Sequence, residues 1–117
     1  MDGKEFLMRI RKNNPELLED NGEALQTIAN ISDALAHPLR LYLFRHIVRE
    51  NKQMKQVCTK DLVEAFDYSR STISQHMKKL TKAGLITVKN VDKYTYYYAN
   101  LGVLIKYIDL TKKYSVM

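Results

Sequence analysis

The stretch SRSTISQHMKKLTKAGLI, residues 69–86, carries its apolar side chains at the spacing of one helix face. Ile73, Met77 and Leu80 recur four and three residues apart, which is typical of an amphipathic helix packed against a core. Between them lie serine, threonine, glutamine, histidine and lysine side chains. The pattern predicts a helix over residues 70–82 with one buried face and one polar face.

The ends of this helix, together with the segment before it, predict a helix-turn-helix. Ser69 is a typical N-cap, and Gly84 can adopt the left-handed conformation that ends a helix. Upstream, Thr59 is predicted to cap a short helix, Lys60–Phe66. Three or four residues join the two helices, a connection length typical of a helix-turn-helix.

The polar face of the second helix lacks acidic side chains. Rotation by about 100° per residue places Ser71, Gln75 and Lys78 opposite the apolar side chains. Glutamine can bond adenine at two positions, serine and threonine can bond several base edges, and lysine and arginine bind phosphate or guanine. The face therefore predicts DNA binding by Ser69, Arg70, Ser71, Thr72, Ser74, Gln75, Lys78, Lys79 and Lys82.

Positive charge is concentrated in one part of the chain. The net charge is +6, and residues 70–94 hold six basic side chains against one acidic side chain. The remaining residues hold thirteen basic and twelve acidic side chains, which nearly cancel. A localised positive field favours a polyanionic partner, although a solvated basic face without a partner has the same composition.

After Gly84 the sequence becomes typical of β structure. Leu85–Val88 and Tyr94–Tyr98 are rich in β-branched and aromatic residues, and Asn90–Lys93 connects them. We predict a hairpin in which Tyr97 points away from the other tyrosines. The hairpin adds a second set of DNA contacts, Lys89, Lys93 and Tyr94.

Apolar periodicity predicts further helices on both sides of this region. A period near 3.6 residues recurs in residues 23–35, 39–49 and 101–114, and weaker helical patterns occur in the first 20 residues. No repeat or linker divides the chain, so residues 1–117 are predicted to form a single domain. The predicted fold class is mainly α with a small β-hairpin.

Composition excludes several other classes of protein. Hydrophobic residues make up 45% of the 117 residues and charged residues 27%, as in globular domains. No run of eighteen apolar residues could span a membrane, and the charged N-terminus does not resemble a signal peptide. The single cysteine, Cys58, excludes an internal disulfide and suits a reducing compartment, so a cytoplasmic location is predicted.

Four segments in order resemble the arsenic-repressor (ArsR) family of winged-helix regulators: ALAHPLRLYLF, VCTKDLVEAF, SRSTISQHMKKLTKAGLI and DKYTYYY. The resemblance covers residues 34–98. It implies a winged helix-turn-helix in the order α-α-α-α-β-β-α after an N-terminal helical extension. The implied segments are a dimerisation segment 1–35, a winged-helix core 36–100 and a C-terminal dimerisation helix 101–117. The implied DNA contacts are helix 70–82 in the major groove and wing 88–95 on the backbone or minor groove.

The resemblance also implies a homodimer that represses transcription at an inverted-repeat operator in double-stranded DNA until an inducer relieves repression. The terminal helices would form the interface between the subunits. Its expected residues are Leu25, Ile28, Leu35, Leu101, Leu104, Ile105 and Ile108.

The family's usual metal ligands are missing from this sequence. Members that sense soft metals often carry a C-x-C-D-L element, where this chain has Cys58 first but Lys60 in place of the second cysteine. Other members use Asp and His on the last helix, which here offers only Asp109. We predict no metal site and no cofactor, and Cys58 is kept as a candidate redox residue although a structural role is favoured. His37 is interpreted as a cap or surface residue, and His76 as a partly buried packing residue.

Other functions remain open from the sequence. A winged-helix module for protein–protein interaction would not need the concentrated positive charge. A regulator of the multiple-antibiotic-resistance (MarR) type is the nearest alternative among DNA-binding proteins, although such proteins are usually longer. An enzyme is not predicted, because the sequence has no metal-ligand cluster, phosphate-binding glycine-rich loop or Ser/His/Asp set.

Overall fold

The computed structural model describes residues 22–113, so the weak helical patterns of the first 20 residues lie outside the described part. The described chain is mainly helical with a small antiparallel sheet. Its elements are α1 (Gly22–Leu35), α2 (Pro38–Lys52), β1 (Val57–Cys58), α3 (Thr59–Ala65), α4 (Arg70–Lys82), β2 (Ile86–Val91), β3 (Tyr94–Ala99) and α5 (Leu101–Lys112).

One hydrophobic core joins the helices to the sheet. Leu43 and Ile47 of α2 are fully buried, and Ile73, Met77 and Leu80 of α4 are at most 1% exposed. Burial of each such side chain contributes about 1.5–3 kcal/mol. The apolar face predicted for α4 is confirmed, and its burial fixes the polar face of that helix toward the outside.

Helix α2 is capped at its start and tied to the sheet at its end. The Nδ1 atom of His37 accepts a hydrogen bond from the N–H of Leu39 at 3.2 Å, and Pro38 occupies the first turn. Near the other end, the amide oxygen of Asn51 accepts the N–H of Ala99 at 2.9 Å. The interpretation of His37 as a cap or surface residue is confirmed, since its side chain caps the helix and is exposed.

The hairpin is present, but its turn is shorter than predicted. Strands β2 and β3 pair antiparallel along their whole length and leave only Asp92 and Lys93 between them. The predicted connection Asn90–Lys93 was therefore too long. Asp92 has a φ of 55°, and aspartate adopts this left-handed conformation more readily than most residues. This explains how a two-residue turn forms without glycine.

A third strand was not predicted. β1 pairs antiparallel with β3, with Val57 opposite Tyr97 and Cys58 opposite Tyr96, and the strand order is β1-β3-β2. The predicted order α-α-α-α-β-β-α therefore omits strand β1, which lies between α2 and α3. β3 becomes the central strand of the sheet, which fixes the base of the hairpin to the helix-turn-helix.

Helix α3 begins one residue earlier than predicted, because its N-cap is Cys58 and not Thr59. The backbone N–H of Cys58 donates to the carboxylate of Asp61 at 2.9 Å. Thr59 is inside the helix and 4% exposed, and its hydroxyl lies 3.0 Å from the hydroxyl of Tyr97 on β3. The hydroxyl predicted to cap α3 instead connects this helix to the sheet.

The first and last described helices pack side by side. The hydroxyls of Ser32 on α1 and Tyr107 on α5 form a hydrogen bond of 2.8 Å. Asn100 caps α5, its side-chain oxygen accepting the N–H of Val103 at 3.4 Å. The helices predicted over residues 23–35 and 101–114 are thus present as α1 and α5 in the described part of the chain. Among the helices of residues 22–113, none has the length and apolar character needed to cross a membrane.

Candidate nucleic-acid interface

The N-terminus of α4 is fixed by its predicted cap. The hydroxyl of Ser69 accepts the backbone N–H of Thr72 at 3.2 Å and donates to the hydroxyl of Thr72 at 3.0 Å. At the other end, Gly84 has a φ of 84°, as expected for a residue that ends a helix in the left-handed conformation. The predicted bounds of α4 are confirmed at both ends.

The outer face of α4 carries exposed polar and basic side chains. Because Ile73, Met77 and Leu80 point into the core, the opposite side of the helix faces solvent. Nothing acidic lies between the first and last residues of α4. Of the side chains predicted to bind DNA, the structure exposes Ser69, Arg70, Ser71, Gln75, Lys78, Lys79 and Lys82, while Thr72 and Ser74 are half-buried.

One flank of α4 forms a cleft with the hairpin. Arg70, Ser74 and Lys78 line this cleft from the helix, and Val88 and Thr95 line it from β2 and β3. Its volume is about 280 Å³. The cleft brings the basic side chains of the helix next to the hairpin, so both elements present one continuous surface.

The other flank of α4 faces α1. Lys79 and Lys82 line a depression of about 240 Å³ together with Asn30 and Asp33. Asp33 is an acidic residue on this side of α4. The structure therefore separates the two lysines from the cleft side of α4, and they mark the edge of the polar face next to α1.

The hairpin presents its predicted residues at the surface. Lys89, Lys93 and Tyr94 are exposed, and the ring centroids of Tyr94 and Tyr96 lie 6.1 Å apart. The family resemblance favours core and sheet roles for Tyr96 and Tyr97. Tyr97 is 5% exposed and belongs to the core, on the opposite face of β3 from Tyr94, as the alternation predicted, while Tyr96 is half-buried. The outward rings and lysines make the hairpin a second basic surface beside α4.

Sequence analysis missed one residue of this region, Arg40. Its side chain is 8% exposed. Nε donates to the carbonyl oxygen of Ala34 at 2.7 Å, and Nη2 donates to that of Asp33 at 3.2 Å. Nη1 lies 3.2 Å from Nδ1 of His76 on α4. Its spacing along α2 was the available signal. Arg40 precedes the buried Leu43, Phe44 and Ile47 by three, four and seven residues, and this spacing places it on the same face of the helix.

Cys58 lies in the core, away from any cluster of acidic side chains in the described part of the chain. Cys58 is 9% exposed and is the single cysteine of the chain. Lys60, two residues further on, lies 4.0 Å from Glu64 in an exposed pair. Across residues 22–113, no group of three or more His, Cys, Asp or Glu side chains is arranged to hold a metal ion. Burial agrees with the structural role favoured for Cys58.

A helical core, a two-helix unit with an exposed polar second helix and an adjoining hairpin together define a winged helix-turn-helix protein. Comparison with known proteins agrees, because residues 35–89 match the family model of a helix-turn-helix domain. No curated protein sequence gave a significant match.

Solved structures with this fold include regulators of the ArsR type. A possible transcriptional regulator for arsenical resistance is 27% identical, covers 73% of this chain and 82% of its own, and superposes with a TM-score of 0.60. An ArsR-like transcriptional regulator from Rhodococcus sp. RHA1 is 19% identical, with coverages of 80% and 84% and a TM-score of 0.70. NolR from Sinorhizobium fredii is 23% identical, with coverages of 90% and 97% and a TM-score of 0.61. The chain therefore carries a helix-turn-helix domain over residues 35–89 and resembles solved transcriptional regulators of the ArsR type.

Proposed function

We propose that the protein is a homodimeric repressor that binds a specific sequence in double-stranded DNA. The observation that carries this proposal is the exposed, acid-free polar face of α4 beside a basic hairpin. The alternative of a protein-interaction module gives no physical reason for this concentration of positive charge.

The dimensions of α4 support its insertion into the major groove. Its thirteen residues span about 20 Å at 1.5 Å per residue, and a major groove about 12 Å wide admits a helix. Ser71 and Gln75 are exposed on the face opposite the buried side chains, so they are the proposed base contacts. The remaining proposed contacts, to phosphate or guanine, are Ser69, Arg70, Thr72, Ser74, Lys78, Lys79 and Lys82.

The hairpin would contact the DNA backbone or minor groove next to the major groove occupied by α4. Lys89 and Lys93 project from the strand and turn, where an ammonium group can reach phosphate. Tyr94 is 54% exposed and could lie against a sugar or phosphate. The proposed wing, residues 88–95, thus adds sequence-independent affinity to the base contacts of α4.

An exposed apolar face supports the proposed homodimer. Leu25 on α1 is 44% exposed, and Ile105 and Ile108 on α5 are 58% and 50% exposed. Apolar side chains in a contiguous exposed patch often mark a protein interface. A second copy covering this face would bury the exposed Leu25, Leu101, Ile105 and Ile108 and extend over the half-buried Ile28, Leu35 and Leu104.

The proposed dimer predicts the form of its operator. A twofold axis between the subunits places the two copies of α4 in successive major grooves, so the half-sites should be inverted and separated by about one helical turn, or 34 Å. The resulting complex would block access to the DNA that it covers, which is the basis of repression.

The test begins with selection of duplexes from a randomised pool by the full-length protein at pH 7.5. The selected duplex and a base-shuffled control are then titrated by fluorescence anisotropy. We expect an inverted repeat, and we expect Gln75→Ala to reduce the preference for it, while Lys78→Glu weakens binding to both duplexes. Lys52→Glu, a change of the same charge outside α4 and the wing, should bind like wild type.

Equal, weak binding to both duplexes that neither α4 variant alters would contradict the proposal. The protein-interaction module would then be the better hypothesis. Sedimentation of the free protein tests the dimer separately, since a monomer at micromolar concentration would rule out a stable homodimer.

A further inference from the structure

His76 is neutral in the arrangement that joins α4 to the rest of the fold. A guanidinium group can only donate hydrogen bonds, so the 3.2 Å contact from Arg40 requires an unprotonated Nδ1 on His76. The imidazole proton then resides on Nε2. Protonation of Nδ1 would place two N–H groups against each other and convert this hydrogen bond into a repulsive contact.

The charges around His76 oppose its protonation. Burial, and then the positive charges of His37, Arg40 and Lys79, hold the pKa of His76 below its usual range. The ring of His37, at the start of α2, lies 4.6 Å from that of His76. From α1, Asp33 contributes a carbonyl oxygen to Arg40, and this acidic residue lines the depression that also contains Lys79.

Among residues 22–113, no carboxylate forms an ion pair with Arg40 that could take up a second positive charge. Its guanidinium bonds two backbone carbonyls at the end of α1 and the neutral ring of His76. The ion pair in this part of the chain joins Lys60 and Glu64. A buried charge without a counter-charge depends on its hydrogen bonds, so each of these bonds matters for the position of Arg40.

We propose that Arg40 positions the DNA-binding helix through neutral His76, and that protonation of His76 on acidification breaks this contact and lowers the preference of the protein for its operator. The proposal rests on the proposed function of α4. Arg40 and His76 are positioning residues, because neither is required to touch DNA.

The position of His76 explains why its protonation would affect base contacts. His76 follows Gln75, the proposed adenine contact, and precedes Met77, which is fixed in the core. A repulsive contact at His76 would displace the turn of α4 that carries Gln75. Small displacements weaken base contacts strongly, because hydrogen bonds lose strength when distance and angle depart from their narrow range.

Protonation also adds positive charge, which raises affinity for any DNA. This electrostatic contribution does not depend on sequence and acts on operator and shuffled duplexes alike. The informative quantity is therefore the ratio of the two dissociation constants and not either constant alone.

The experiment measures this ratio by fluorescence anisotropy between pH 7.5 and pH 5.5 at constant ionic strength. For wild type we expect the preference for the operator to fall about tenfold, the discrimination that is lost when one base contact is weakened. In His76→Asn the amide oxygen can still accept from Arg40 and cannot be protonated, so the ratio should stay constant. His46→Asn, a change to a histidine on α2 beside Phe66, should retain the wild-type decline.

A constant ratio in wild type, or an equal decline in wild type and His76→Asn, would overturn the proposal. A second arm uses the free protein and so does not depend on DNA binding. Nitrogen-15 chemical shifts should place the His76 proton on Nε2 at pH 7.5. Amides of α4 should exchange faster in wild type than in His76→Asn at pH 5.5 but equally at pH 7.5, with amides of α5 as the reference.

Failure of the proposed function is distinguishable from failure of this inference. If no operator can be selected while the second arm behaves as expected, the contact positions α4 but the helix serves another partner. If an operator exists and the second arm shows a proton on Nδ1 at pH 7.5, the DNA-binding function stands and the role of His76 is wrong.

Discussion

Removal of both wing lysines should change the salt dependence of DNA binding by a predictable amount. Lys89 and Lys93 are exposed on β2 and in the turn, so their replacement by alanine leaves the core intact. Each phosphate neutralised contributes about 0.9 to the slope of log affinity against log salt concentration. In the proposed dimer, two lysines in each subunit would neutralise four phosphates, so the slope of Lys89→Ala/Lys93→Ala should be less steep by about 3.6.

This difference in slope corresponds to a large difference in affinity. Between 50 and 200 mM salt, wild type should lose roughly 150-fold more affinity than the double variant. The preference for the operator over a shuffled duplex should remain unchanged, because phosphate contacts carry no sequence information. Anisotropy titrations of both duplexes at five or more salt concentrations measure both quantities.

The control is Lys52→Ala/Lys55→Ala. These lysines lie far from the tip of the wing. Asn51, next to Lys52, accepts a hydrogen bond from the N–H of Ala99, at the end of β3 that is distant from the turn. That end lies about 17 Å from the tip, at 3.4 Å per residue. The control should therefore keep the wild-type slope. A wing variant whose slope equals that of wild type would refute the assignment of Lys89 and Lys93 to phosphate contacts.

Three further results are expected. Tyr97→Phe should lower the free energy of unfolding by about 1–3 kcal/mol, because it leaves the buried hydroxyl of Thr59 without its partner; adding Thr59→Val should recover most of this loss, and chemical denaturation of the single and double variants measures both. Ile105→Lys should convert the proposed dimer to a monomer in sedimentation experiments without loss of helical circular dichroism, since Ile105 is 58% exposed; a dimer that persists would contradict the proposed interface. The pKa of His76 is lowered in the folded state, so the unfolded state binds the proton more tightly. Wild type should therefore lose stability relative to His76→Asn as the pH falls from 6.5 toward the folded-state pKa of His76, with no further relative loss below that pKa. Denaturant titrations at several pH values test this.

The elements with local signals were predictable from the sequence. Helix α4 has a regular apolar period, a serine cap and a terminal glycine, and all three features act within a few residues of one another. The hairpin strands were predictable for the same reason. The length of the turn was not, because Asp92 adopts a left-handed conformation that glycine more commonly provides.

The elements that depend on distant partners were missed. The two residues of β1 are a strand only because β3, about forty residues later, pairs with them. The cap of α3 was misplaced because Thr59 has a buried partner, Tyr97, while the carboxylate of Asp61 satisfies the backbone N–H of Cys58. Local propensity does not contain either of these contacts.

In the candidate site, too, features with local signals were predictable and contacts with distant residues were not. The orientation of α4 follows from its apolar period, and it exposes most of the polar side chains that the sequence predicts to bind DNA, while Thr72 and Ser74 are half-buried. The interpretation of His76 as a partly buried packing residue is confirmed, but its contact with Arg40 was not foreseen. An arginine on a buried helix face signals an unusual environment, and only the tertiary structure identifies its partners.

The turn of the hairpin has a consequence for how long DNA stays bound. Asp92 is the one carboxylate among residues 70–94, and it lies at the tip of the wing. Its backbone conformation is equally accessible to asparagine, so the turn does not require the negative charge. On the proposed complex this charge repels phosphate and shortens the residence time. In the proposed complex, the wing would combine two lysines that attract DNA with an aspartate that speeds its release.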